Sequence, residues 1–283
     1  MENSITSEYD TIVLSGGSIN GIIILGSLQY LKDKNMINNI KIYAGTSIGA
    51  VLSYLLIIGY TPIEIIVYLC TNSHMFEKLK CFNIVNATRG EGAVSFSNIS
   101  DELEKMTIDK IGKVLTMKDL ETRFGKKLIC VTYNTTKSCA EYLSPDITPD
   151  LPCLTALRMT SNLPFVFETY KYGDSFYIDG GLSNNFPLDV GEKTGKKVLG
   201  LTLSYNMTED NPHKNFLEFV YKLLYVPIDQ ATIHRIESKA QTTTVIVIKV
   251  GNMDFFNFNI GSKTKLEMFS KGYEDTKAFF ETT

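Results

Sequence analysis

The chain has 283 residues, of which 44% are hydrophobic and 21% charged, with a formal charge of −3. That is enough chain to bury one large or two modest domains, and too apolar a composition for disorder. The slight acidic excess makes no case for nucleic acid, whose partners carry a basic face.

Taken in chain order, the first ten residues hold Glu2, Glu8 and Asp10 and no Lys or Arg, so they lack the basic start of a secretory signal. Two runs then carry no Asp, Glu, Lys or Arg at all, Thr11 to Leu31 and Ile42 to Ile63. Each is about as long as a membrane-crossing helix (~20 residues). Both are broken by small residues, Ser15-Gly16-Gly17-Ser18 in the first and Gly45-Thr46-Ser47-Ile48-Gly49 in the second. Small residues flanked by β-branched strand formers read as strand, turn and helix, and central parallel strands buried on both faces need not alternate. The runs are therefore read as two buried βα units rather than as membrane spans.

Further strands are expected at Lys127–Tyr133, Ser138–Leu143, Phe176–Ile178, Lys197–Leu203 and Val245–Val250, after Thr11–Ser15 and Ile40–Ala44. Helices are expected at Gly21–Lys32, Ser47–Ile58, Pro62–Thr71, Asn98–Ile111, Met117–Phe124, Pro152–Thr160, Lys214–Tyr225, Pro227–Lys239 and Ser262–Phe280. The helix at Pro62 has Thr61 as N-cap and Glu64 to close a capping box, and Thr116 with Asp119 marks another start. Residues 73–96 match neither period and are expected to form a cap or loop. The alternation predicts an α/β fold, a three-layer arrangement with a mainly parallel central sheet flanked by helices. Five cysteines (Cys70, Cys81, Cys130, Cys139, Cys153), with no CxxC spacing, point to free thiols in a reducing, cytoplasmic setting.

Gly45-Thr46-Ser47-Ile48-Gly49 is a Gly-x-Ser-x-Gly sequence between the strand KIYA and the helix AVLSYLLII. A nucleophilic serine there sits on a sharp turn, glycines two residues away remove clashes, and the following helix aims its N-terminal amides at the reacting centre. Upstream, Gly16-Gly17-Ser18-Ile19-Asn20-Gly21 lacks both the dinucleotide fingerprint and the Gly-Lys-Ser/Thr of a P-loop. It leaves a turn with clustered amides, suited to an anion and, beside a serine nucleophile, to a tetrahedral oxyanion.

The base is less direct. The chain has three histidines, His74, His213 and His234, none just after a strand. His234 follows Asp179 and would complete a Ser-Asp-His order, but TIHRIESKA reads as a helix with a half-exposed histidine. Asp179 itself ends a strand and is followed by Gly180 and Gly181, which let its carboxylate approach the serine closely. An aspartate serves as base for a hydroxyl only if burial raises its pKa.

The three elements in this order resemble the patatin-like phospholipase family: a glycine-rich oxyanion loop, Gly-x-Ser-x-Gly, then Asp-Gly-Gly. SGGSINGIIILGSLQYL and IYAGTSIGAVLSYLL are similar to that family's first two βα units, and ALRMTSNLPFVFE with FYIDGGLSNNFPL is similar to the segment leading to its aspartate. The resemblance covers roughly residues 10–205, expected as the catalytic core, with 206–283 completing the same domain. It implies Ser47 as nucleophile and Asp179 as base. It assigns Gly16, Gly17, Ser18 and Gly21 to the oxyanion hole, with Gly45, Gly49, Gly180 and Gly181 as supports. It further implies calcium-independent acyl-ester hydrolysis, with no metal and no cofactor. Two positions depart from the family pattern, which commonly has Gly where Ser18 stands and often Arg or Lys where Asn20 stands.

The expected substrate is a phospholipid or acylglycerol met at a membrane or lipid interface by a peripheral protein. Nucleic acid is not an expected partner, and an activating protein remains open. Candidate interface contacts are Phe255-Phe256-Asn257-Phe258 and Met75-Phe76, with Lys78–Lys80 as a local basic patch. Two other readings stand beside this one. One is an α/β-hydrolase with a Ser-Asp-His triad, in which several strands normally precede the nucleophile. The other is an inactive lipid-binding protein on the same fold.

Overall fold

The computed structural model describes residues 9–72, 94–205, 216–251 and 260–282. Eight strands form one sheet: β1 (Thr11–Leu14), β2 (Ile42–Thr46), β3 (Lys127–Asn134), β4 (Cys139–Leu143), β5 (Tyr170–Tyr172), β6 (Ser175–Asp179), β7 (Val198–Tyr205) and β8 (Thr243–Val250). The helices are α1 (Gly21–Asp33), α2 (Ile48–Ile57), α3 (Pro62–Thr71), α4 (Ser97–Ile111), α5 (Met117–Phe124), α6 (Cys153–Thr160), α7 (Gly181–Asn184), α8 (Leu188–Thr194), α9 (Phe216–Glu237) and α10 (Ser262–Thr282).

β1 lies at the centre with all four residues buried. It pairs in parallel with β2 on one side and β7 on the other, and β3 and β8 extend the parallel sheet outward. Ile12 and Leu14 face a layer containing α1, α2 and α10, while Val13 faces Phe186, Leu188 of α8 and Ile236 of α9. The absence of charge in the first run follows from this burial on both faces. The second run is β2, α2 and the start of α3. Among the described residues no single helix is long and apolar enough to cross a membrane, and α2 and α3 meet at a bend of 117°.

β3 determines where the two candidate catalytic residues meet. β4 runs antiparallel along one side of it, from Cys130 to Asn134. The other side is shared: β2 pairs with Lys127–Val131, and β6 pairs antiparallel with Thr132–Asn134. β2 therefore ends at Thr46 opposite Val131, and β6 ends at Asp179 opposite the next residue, Thr132. Two strands arriving from opposite directions stop end to end, which brings Ser47 and Asp179 together across a sequence gap of more than a hundred residues.

The local start signals hold. Thr61 accepts from the Glu64 amide while Glu64 accepts from the Thr61 amide, and Thr116 accepts from the Asp119 amide. One expectation needs correction, and the strand β5 and the helix α8 were not expected. The helices expected on either side of Val226 are one helix, α9, with Pro227 inside it. The amide lost at Pro227 would have bonded the carbonyl of Leu223, an exposed residue whose carbonyl can turn to solvent. The three-residue strand β5, joined to β6 through Gly173 at φ +57°, is too short to show a period. The helix α8 was hidden by Gly191, whose missing side chain lets the helix lie close on Val13 of β1.

Candidate active site

Ser47 stands outside α2 rather than as its first residue, between the end of β2 and Ile48. Its φ of 54° and ψ of −126° lie in a region that L residues rarely adopt, so the turn is strained at the serine itself. Close packing enforces the turn. A Cβ on Gly49 would fall 2.3 Å from the carbonyl oxygen of Leu14, so only glycine lets α2 leave this near β1. The Ser47 amide donates to Thr160 Oγ1 at 3.0 Å, and the Thr160 hydroxyl donates in turn to the carbonyl of Val131. Thr46 Oγ1 donates to the carbonyl of Asn184 at 2.8 Å.

Asp179 is held as firmly. Its amide donates to the Asn162 carbonyl at 2.9 Å, and its Oδ1 accepts from the Gly181 amide at 2.7 Å. A Cβ on Gly180 would lie 2.2 Å from the Val131 carbonyl oxygen, so the chain can turn past β3 only with glycine there. Oδ2 is buried without a full hydrogen bond, and the Ser47 hydroxyl lies close enough to favour the charged carboxylate. Catalytic hydrogen bonds are commonly long before substrate arrives. Burial pushes the Asp179 carboxyl up from 3.8 to about 6, against the opposing pull of Ser47 and the Gly181 amide. Such a group is a competent base near neutral pH.

The loop after β1 divides its amides. Gly16 donates to the Asn185 carbonyl at 3.0 Å, and Gly21 to the carbonyls of Ser18 and Ile19. Those two amides are committed to the backbone and are not available as oxyanion donors; the remaining role of both residues is to shape the turn. The Gly17 amide donates to no acceptor among the described residues. Ser18 adopts φ +50°, the left-handed conformation for which glycine is the natural occupant. Ser18→Gly is expected to raise stability by up to ~1 kcal/mol and leave turnover within a few-fold of wild type, read by thermal unfolding and ester hydrolysis.

Two cavities meet at Ser47, Ser18 and Leu163. The first, about 120 Å³, runs between α1, α2, α3 and α4 and is lined by side chains such as Ile22, Val51, Leu55, Leu103 and Phe167. The second, about 60 Å³, contains Asp179, Gly17, Asn185, Tyr205, Tyr221 and Tyr225. Burial and the nearby Asp179 carboxylate both hold the Tyr221 phenol protonated.

Comparison with known proteins decides the family. The model for patatin-like phospholipases matches residues 12–191. The chain is 36% identical to the probable lipid hydrolase 463L of invertebrate iridescent virus 6 over 73% of its own length and 74% of that protein. It belongs to the patatin-like phospholipase family. A Bacillus subtilis protein, YqhO, is 26% identical over 95% of the chain and 97% of its own length. Among solved structures, VipD from Legionella pneumophila superposes with a TM-score of 0.56 at 17% identity, covering 97% of this chain and 67% of VipD. The type III effector ExoU superposes at 0.52 and 12% identity, covering 96% of this chain but only 53% of ExoU. Those two likenesses concern the fold.

In this patatin-like chain His234 is exposed on α9 and lines neither cavity, so the structure does not bring it to Ser47. His74, His213, Met75-Phe76, Lys78–Lys80 and Phe255-Phe256-Asn257-Phe258 lie outside the described residues. Four contributors went unread in the sequence: Thr160, Asn162, Arg158 and Asn185. Arg158 is buried, donates to Asn162 Oδ1 at 2.5 Å and to Glu168 at 3.2 Å, and lies over Phe96 and Tyr170. It braces the residue whose carbonyl holds Asp179. The signal was local, an arginine within ALRMTSN with Asn162 four residues on and Glu168 ten residues on, but a single charge at the end of an apolar helix does not show that it is buried.

Proposed function

We propose that this patatin-like lipid hydrolase cleaves carboxylic esters of phospholipids or acylglycerols through a Ser47–Asp179 dyad, without calcium and without histidine. The observation that carries the reading is the end-to-end meeting of β2 and β6 on β3. It sets a strained serine beside a buried carboxyl of raised pKa, at the junction of an apolar cavity and a second one. Ser47 Oγ attacks the ester carbonyl and its proton passes to Asp179. The carbonyl oxygen becomes an oxyanion, held by the Gly17 amide with that of Ser18 following it in the loop. The alcohol leaves with the proton from Asp179, and the acyl chain lies in the first cavity. Asp179 then takes a proton from a water that attacks the acyl carbon, and returns it to Ser47 Oγ as the acyl–oxygen bond breaks and the acid is released. Calcium is superfluous in this scheme because named protein groups take both the proton and the oxyanion.

The test is mass spectrometry of products from defined phospholipids and triacylglycerols in the presence of a calcium chelator, with Ser47→Ala as control. Fatty acid with lysolipid or diacylglycerol from wild type, and none from the variant, is the expected result. Equal products from both, or none from wild type, would contradict the assignment. Product formation only when calcium is restored would remove calcium independence alone.

A further inference from the structure

We propose that the loop 163–167 and the outer face of α9 form the surface by which this protein docks on a lipid bilayer, with Phe165 as its inserting side chain. The proposal rests on the lipid-hydrolase reading above, because it concerns how a bilayer lipid reaches Ser47.

Phe165 has a φ of +64°, a left-handed conformation that is unfavourable for a bulky aromatic residue. The consequence is visible in the exposures. Val166 and Phe167 are buried at 2% and 5%, whereas Phe165 is 42% exposed. The backbone twist turns this ring outward, away from the cluster of Val94, Phe96, Val166, Phe167 and Tyr221 in which its neighbours pack. Two residues before it, Leu163 lines both cavities.

The helix α9 repeats the arrangement. Tyr221, Leu224, Tyr225 and Ile228 line the second cavity, while Leu223 and Val226 point out, 55% and 47% exposed. Spacings of three and four residues put each set on its own face of the helix. The Tyr221 hydroxyl donates to the Pro164 carbonyl, so the loop and the helix are joined beside Phe165. Exposed apolar side chains thus alternate along both segments with side chains that line the cavities.

That continuity selects the occupant. A surface for a second protein has no need to share its elements with the cavities around a nucleophile. A surface that receives lipid does, because the acyl chain must pass from the bilayer into the first cavity without crossing water. Aromatic rings favour the membrane–water boundary, and the half-exposed Lys222 lies among these residues, suited to lipid phosphates.

The experiment compares wild type with Phe165→Asn/Leu223→Gln/Val226→Gln. Asparagine accepts the left-handed conformation and glutamine accepts an exposed helix position, so the variant keeps its fold. Three readouts are taken: co-sedimentation with phosphatidylcholine vesicles holding a tenth phosphatidylglycerol, hydrolysis of lipid in those vesicles, and hydrolysis of a water-soluble butyrate ester. Vesicle binding and vesicle-lipid hydrolysis are expected to fall about tenfold or more, since three exposed apolar side chains that the bilayer would cover are lost. Hydrolysis of the soluble ester is expected to stay within about two-fold, as no changed residue lines a cavity. Unchanged vesicle binding overturns the proposal. So does an equal loss of soluble-ester activity, or a wild-type dimer that dissociates in the variant with vesicle binding intact. A wild type that binds vesicles by this face but cleaves neither ester would leave the docking surface standing and remove the hydrolase reading instead.

Discussion

Asp179→Asn is expected to lower ester turnover by about 10²–10⁴-fold and, at pH 8, to make the protein more stable than wild type. Both effects come from the same burial. Asp179 is 2% exposed and its carboxyl is raised from 3.8 to about 6. Between those values the folded protein keeps a proton that the unfolded chain releases, so folding stability falls as pH rises from about 4 through 6 and stays lower above it. A shift of that size corresponds to roughly 3 kcal/mol, an upper figure for so buried a group. Asparagine keeps the acceptor for the Gly181 amide, offers Ser47 a donor, and carries no charge to bury. Thermal unfolding should therefore show the variant gaining over wild type from pH 4 to pH 8. Ester turnover by wild type should rise through pH 6 as the base ionises, a limb that the variant lacks. Equal stability of the two proteins at both pH values would show that Asp179 is not a destabilised, poised carboxyl.

The second large effect is expected far from the chemistry, at Gly272. The helix α10 lies against α1 so closely that a Cβ on Gly272 would sit 1.8 Å from the Ile23 carbonyl oxygen, and one on Gly26 would sit 1.9 Å from that of Phe269. Ser27 Oγ bonds the Gly272 carbonyl at 3.1 Å, and Tyr30 packs edge-on against Tyr273. A valine at 272 meets backbone rather than a movable side-chain tip, so the helices must separate along their contact. The expected loss in urea unfolding is about 3 kcal/mol or more. Because α1 opens directly from the glycine loop at Gly21, beside Ser47, activity should fall in the protein that remains folded. A change within about 1 kcal/mol would show that α10 does not hold α1 in place.

Much of this arrangement could be read before any coordinates. The turns at Gly16-Gly17-Ser18 and Gly45–Gly49 lie where small residues interrupt charge-free runs, because a buried strand that turns sharply into a helix leaves no room for anything larger. Local chemistry was equally plain at Thr61-Pro62 and Thr116, where capping depends on neighbours three residues apart. What depends on register was not legible. That Thr160 bonds the Ser47 amide, or that the Asn162 carbonyl holds Asp179, follows from β2 and β6 ending at adjacent residues of β3. No window of sequence contains that fact. The split of the loop amides between Gly17 and the committed Gly16 and Gly21 is of the same kind, since the acceptor for Gly16 lies at Asn185.

If Ser47 is a nucleophile activated by Asp179, an electrophilic phosphonate will trap it covalently. Folded wild type, Ser47→Ala and Asp179→Asn are each treated with a fluorophosphonate, and adducts are located by peptide mass spectrometry. One adduct is expected in wild type, on Ser47, with none at that peptide in Ser47→Ala and labelling slowed by about 10²-fold or more in Asp179→Asn. Labelling of Ser47→Ala at the wild-type rate, or of Asp179→Asn as fast as wild type, would contradict the dyad.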